Sequence, residues 1–116
     1  MQLEAKKYLY DMQQAAALLT NFTSGKSFED YTNDPMLKAA TERQFEIIGE
    51  ALTKLRRLDQ TLASRITDHQ RIIAFRNILI HGYADIDDRL VWDIVESKLP
   101  VLRQEVEEIL SEGERG

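Results

Sequence analysis

The chain has 116 residues, with 15 Lys and Arg against 20 Asp and Glu and a net charge of −5. That length supports one domain with a modest core, and the acidic balance argues against a protein that coats nucleic acid by bulk attraction. Cysteine is absent, which removes disulfides and thiolate metal sites, and no window holds the ~18 apolar residues of a membrane span.

The start, Met1-Gln2-Leu3-Glu4-Ala5-Lys6-Lys7, lacks the apolar core of a signal peptide, so a cytoplasmic protein is the simplest expectation. Ala5, Leu9, Met12, Ala16 and Leu19 then step by three or four, which predicts an amphipathic first helix over about Leu3 to Phe22. Ser24-Gly25-Lys26-Ser27 ends it, and Phe28 to Asn33 suits a short turn. Asp34-Pro35 reads as an N-cap with proline at the first helical position. The second long helix runs to about Leu58, with Phe45, Ile48, Leu52 and Leu55 as its stripe. Gly49 sits in its middle at a cost of about 1 kcal/mol relative to alanine; either a closely packed neighbour or chance accounts for it.

Asp59 to Ile66 reads as a connection, in part helical. Thr67-x-x-Gln70 has the form of a capping box and predicts a third helix through about Ile80 or His81, with Gly82 at its end. Asp85 and Asp87 are candidate caps for a fourth helix containing Leu90, Val91, Trp92, Ile94, Val95 and Leu99. Pro100 either kinks that helix or opens a fifth with Leu102, Val106, Ile109 and Leu110. The last six residues should fray. No strand-like alternation or internal repeat is visible, so the expected fold is a single all-α domain over residues 1–116, an antiparallel bundle of four to five helices.

Charge is unevenly spread. Lys54, Arg56, Arg57, Arg65, Arg71 and Arg76 face only Asp59 and Asp68 in the same stretch, whereas Glu105 to Glu114 is strongly acidic. Solvated helix faces explain any one of these as well as a local positive field does.

The stretch Arg76-Asn77-Ile78-Leu79-Ile80-His81-Gly82-Tyr83 stands apart. It places an arginine, a histidine and a tyrosine within an apolar run that begins at Ile72. A desolvated charge is costly unless something pairs with it. Arginine presents a fork of donors to phosphate, and histidine exchanges a proton near neutral pH. Together they suit the binding or cutting of a phosphodiester. On one helix Asn77 and His81 are neighbours, while Arg76 and His81 lie about 140° apart. Either the helix end relaxes near Gly82, or the long arginine reaches round, or a second copy of the chain completes the site across a twofold axis. The last is favoured, because it also accounts for a helix with apolar residues nearly all round in so small a domain.

Arg76-x4-His81, with a polar residue straight after the arginine, resembles the signature of HEPN domains (higher eukaryotes and prokaryotes nucleotide-binding). The fuller form Arg76-Asn77-x3-His81-x-Tyr83 resembles the HepT toxin branch. Phe45-Glu46-Ile47-Ile48-Gly49-Glu50-Ala51 is similar to that branch's second helix, and Val91-Trp92 followed by Leu99-Pro100 is similar to its C-terminal half. The resemblance covers roughly Leu3 to Leu110. It implies a metal-independent endoribonuclease toxin, acting as a homodimer or higher assembly with the motif at the subunit interface. Arg76 and His81 would be the catalytic pair. Tyr83 would be the residue to which a minimal nucleotidyltransferase antitoxin of the MntA kind attaches AMP from ATP; the toxin itself would need no cofactor.

The side chains are suited to that chemistry. RNA carries its own nucleophile in the 2′-hydroxyl. His81 can remove its proton or protonate the 5′-oxygen leaving group, and two copies can divide those tasks. Arg76 can stabilise charge on the transition state. Asn77 can orient His81 or bond a phosphate oxygen, and Glu50 can support the site by hydrogen bonding. AMP on Tyr83 would add bulk and negative charge beside Arg76. Two histidines twelve residues apart, with no cysteine, offer no evident metal cage.

Plainer alternatives stand beside these roles. Arg76 could form a buried ion pair with Glu46 or Glu50, His81 could sit at a helix C-terminus for the dipole alone, and Tyr83 could be a packed aromatic with a wet hydroxyl. His69 should face solvent, and Trp92 should pack in the core or a dimer contact. A competing function is a non-catalytic helical partner that presents Tyr83 or a nucleotide to the nucleotidyltransferase. A bare helical scaffold would be a third.

Overall fold

In the computed structural model, which describes residues 1–82 and 85–115, the chain is all-α. Seven helices occur among the described residues: α1 (Leu3–Thr23), α2 (Phe28–Thr32), α3 (Pro35–Leu58), α4 (Gln60–Ala63), α5 (His69–Gly82), α6 (Asp88–Ser97) and α7 (Leu99–Arg115). Five are long, and the short α2 and α4 occupy the segments expected to be turn and connection. None is long and apolar enough to cross a membrane.

Local chemistry sets most of the boundaries. Gly25 takes a left-handed φ of 74° in the turn after α1, a conformation that costs glycine little. Ser27 opens α2 with a reciprocal capping box: its hydroxyl accepts the Asp30 N–H, and the Asp30 carboxylate accepts the Ser27 N–H. Asp34 caps α3 as its sequence suggests, accepting the N–H groups of Met36 and Leu37 at 3.1 Å. Asp87, rather than Asp85, caps α6. Pro100 falls at the second position of α7, where a missing N–H breaks no helical hydrogen bond, so the chain restarts there instead of kinking.

The start of α5 differs from the expected capping box. The Thr67 hydroxyl and N–H both donate to the Glu105 carboxylate on α7, at 2.7 and 2.9 Å. Asp68 is held in the left-handed region (φ 58°), and its carboxylate accepts the Lys98 ammonium at 2.6 Å. Arg65 meets Glu112 at 2.6 Å. A charged side chain 38 residues away outcompetes the local cap because charge-assisted hydrogen bonds are the stronger ones. Together these contacts clasp the connection before α5 onto α7.

Lys98 holds the Asp68 carboxyl below the usual aspartate range, by its hydrogen bond first and by its charge second. A carboxyl with a depressed folded value stabilises the fold above about pH 4, and that contribution is lost as pH falls through the folded value. Lys98→Ala should therefore flatten the loss of thermal stability between about pH 5 and pH 2. Melting curves read by circular dichroism across that range check it. Both groups lie at the surface, so the effect should be small.

Helix α1 lies along α3 in the most extensive contact of the fold; α7 also packs on α1, and α5 on α3. The core that results contains Leu9, Met12, Leu19, Ile48, Leu52, Leu55 and Val106, each fully buried. Helix α2 braces α3 and α6. There the Tyr31 ring lies 5.3 Å from that of Trp92, which is buried in the core rather than on an outer face.

Candidate functional site

The site is built on α5 and on the one place where α3 lets it come close. Phe75 meets Phe45 edge-on at 5.4 Å; Leu79, one turn on, is buried on the same side, and Ile73 is buried as well. Gly49 faces the next residue, Arg76. A Cβ placed at Gly49 would stand 2.3 Å from the Arg76 Cβ and 2.7 Å from its Cγ. The absent methyl is the space in which the arginine stem lies, so the mid-helix glycine has a structural cause that the sequence left open.

The plain ion-pair alternative for Arg76 is not what the structure shows. Glu46 pairs with Arg43 and Glu50 with Lys54, each at 3.5 Å. Among the described residues Arg76 makes no ion pair; its Nε is buried without a hydrogen-bond partner. Its Nη1 donates to Asn77 Oδ1 at 3.1 Å. The stem thus leaves the α3-facing side of α5 and the guanidinium turns toward Asn77. Since α5 remains α-helical through Gly82, the helix end is not relaxed there, and the guanidinium lies on the Asn77 flank. Asn77 and His81, one turn apart, are both exposed.

The structure therefore joins Arg76 to Asn77 directly and places His81 on the same flank as Asn77. Glu50 follows Gly49 but engages Lys54 instead of Arg76. Tyr83 and Ala84 lie outside the described residues. His69 is half-buried at the start of α5.

One feature had no clear signal in the sequence. Ala74, Asn77, Ile78 and His81, at i, i+3, i+4 and i+7, form an exposed outer stripe on α5. Beside it runs a groove of about 330 Å³ between α5, α6 and α7, lined mainly by apolar side chains such as Phe75, Ile78, Leu90, Ile94 and Leu102, with Asp68, Arg71 and Lys98 also in its wall. Ile78 is 46% exposed and Leu90 39%. Both belong to ordinary helical stripes, and nothing in their spacing distinguishes them from core residues.

Chemically, the cluster offers a fixed cation with one orphaned donor, an amide whose oxygen is already engaged and whose NH2 remains for another acceptor, and an exposed imidazole. This is a donor set for a phosphate ester with a proton carrier one helical turn away.

Comparison with known proteins points the same way. The family described as "Ribonuclease HepT-like" matches residues 12–109. The chain is similar to "Putative RNase TTE0752" of Caldanaerobacter subterraneus subsp. tengcongensis, at 34% identity over 105 residues, 90% of this chain and 93% of the relative. It is 33% identical over 106 residues to "Putative RNase MJ1380" of Methanocaldococcus jannaschii, covering 90% of this chain and 94% of the relative. It is 32% identical over 109 residues to "Probable ribonuclease HepT" of Thermococcus cleftensis, covering 94% and 98%. No solved structure matches significantly.

Proposed function

Because the chain belongs to the HepT-like ribonuclease family, we propose that it is a metal-independent endoribonuclease toxin of the cytoplasm, in which Arg76 and His81 are the catalytic pair. The observation that carries this reading is the state of Arg76. A guanidinium with one buried donor unpartnered and another held by Asn77 is uncompensated by the protein, which fits a group reserved for an anionic ligand. His81 takes the proton of the 2′-hydroxyl or returns one to the leaving 5′-oxygen. Asn77 orients the guanidinium and offers its NH2 to a non-bridging oxygen. The products are a 2′,3′-cyclic phosphate and a 5′-hydroxyl end.

The working unit is a homodimer. The exposed outer stripe of α5 and the apolar groove beside it support this, since an unpartnered apolar face flanking a polar cluster marks an interaction surface. A twofold axis near α5 brings two copies of Arg76 and His81 to one basin.

Tyr83 is the point of control. A nucleotidyltransferase antitoxin transfers AMP from ATP to its hydroxyl with release of pyrophosphate, and the added phosphate competes for Arg76. Co-expression with such an enzyme should raise the intact mass by whole AMP units, and Tyr83→Phe should abolish the increment. Direct incubation of unmodified protein with RNA tests the catalytic core of the proposal. A mass increment at Tyr83 combined with no cleavage by the unmodified protein would favour instead a non-catalytic partner of the transferase.

A further inference from the structure

We infer that Gly49 is a positioning residue: by lacking a side chain it seats the Arg76 stem against α3, so that the guanidinium keeps one donor free for a phosphate oxygen. The inference rests on the reading of Arg76 as a phosphate-binding group and extends it to a residue on another helix.

Three observations carry it. First, the contact is with the root of the arginine. The Cβ and Cγ of Arg76 are 2.3 and 2.7 Å from where a Gly49 Cβ would stand. The Cβ is fixed by the α5 backbone and cannot swing aside as a chain end can. Reaching an ordinary carbon contact of ~3.5 Å requires α5 to move by about 1 Å. Second, a glycine inside a helix is destabilising relative to alanine, and here its carbonyl accepts the Thr53 hydroxyl at 2.8 Å. The space it leaves is filled by a charged residue's stem rather than an apolar side chain. Third, that seat directs the head group. Burial removes Nε from water with no protein acceptor, while Nη1 is tied to Asn77. A buried orphan donor is costly, and a ligand oxygen removes that cost. If Arg76 stood farther out, Nε would meet water and lose its orientation.

Gly49→Ala tests this. A shift of about 1 Å in a catalytic group can cost about 100-fold; the variant should lose about that much in kcat for RNA, with KM changed less than about threefold. Because alanine at this site strains the fold, the same change is also made beside Arg76→Gly, which removes the stem. Gly49→Ala should lower the melting temperature in the parent and do so little, or not at all, in the Arg76→Gly background. The third measurement uses the unaltered protein. The Arg76 Nε–H resonance, shielded from exchange by burial, should move on titration with inorganic phosphate, and Gly49→Ala should abolish that response.

Three results overturn the inference: an Nε–H resonance indifferent to phosphate in the parent, the same loss of melting temperature in both backgrounds, or a folded Gly49→Ala that cleaves RNA within threefold of the parent. The last would leave the ribonuclease reading standing. Conversely, a parent that cleaves no RNA yet shows a phosphate response lost in Gly49→Ala would remove the ribonuclease reading and keep the positioning role.

Discussion

Arg76→Ala and His81→Ala should each leave RNA uncut while preserving the helical spectrum. The two side chains act at different points. Loss of a proton carrier costs about 10²–10⁴-fold, and loss of a charge donor to the transition state about 10²–10³-fold. Neither change should unfold the protein. His81 is exposed, and the alanine at position 76 keeps the Cβ that lies against Gly49. The assay is the fraction of labelled RNA cleaved by purified, unmodified protein in chelator. A DNA strand of the same sequence should persist, because it has no 2′-hydroxyl to attack. In cells, both variants should relieve growth arrest. If the basin pools groups from two copies, mixing the two inactive variants should restore part of the cleavage. Parent protein that spares every RNA, or variants as active as the parent, would refute the assignment.

The largest expected effect on stability comes from Trp92→Ala. Trp92 is 3% exposed and stacks on Tyr31, which is fully buried. Truncating a buried tryptophan costs about 3–5 kcal/mol, the sum of lost transfer energy and the cavity left behind. For a chain of this length each kcal/mol shifts the melting temperature by about 4 °C, so a fall of about 12–20 °C is expected. Circular dichroism is the right readout, since Trp92 is the sole tryptophan and its removal erases the intrinsic tryptophan fluorescence. Trp92→Phe, which keeps a ring against Tyr31, should lose markedly less. Tyr31 is also sensitive on its own account. Burial, followed by the charges of Glu42 and Asp88, raises its phenol well above the ordinary tyrosine range, and its hydroxyl has no partner among the described residues. A wider cavity would admit water to that hydroxyl and offset a small part of the loss. An effect below about 1 kcal/mol would mean that α6 is not anchored through this ring pair.

The two predictions concern different layers of the molecule, and the sequence exposed them unequally. Helix α3 was legible to its ends because its signals are local. Asp34 and Pro35 open it, and Leu58 is followed by an aspartate that caps the next turn. The stripe Phe45, Ile48, Leu52 and Leu55 needed only a period of 3.6 residues to be read as core. At α5 the same reasoning misplaced the start. Thr67 fits a capping pattern, but its hydroxyl found a carboxylate on α7, a partner invisible to any local window. The same limit applies to Asp85 and Asp87, two equivalent caps by type, of which geometry used one.

For the site, residue identity carried the chemistry and tertiary packing carried the arrangement. An arginine, an asparagine and a histidine at this spacing suit phosphate chemistry, because charge, donor count and proton exchange belong to the side chains themselves. Which way the arginine points is not such a property. Helical periodicity sets Arg76 and His81 about 140° apart; the missing methyl on α3 and the hydrogen bond to Asn77 set where the stem lies and which way the guanidinium turns. Composition and period therefore determined the fold class, the long helices and the candidate residues, since each depends on neighbours a few positions away. The seat of Arg76, the clasp on α7 and the apolar groove beside α5 were decided by tertiary structure, since each joins residues from different elements whose contact energies exist only once the helices have packed.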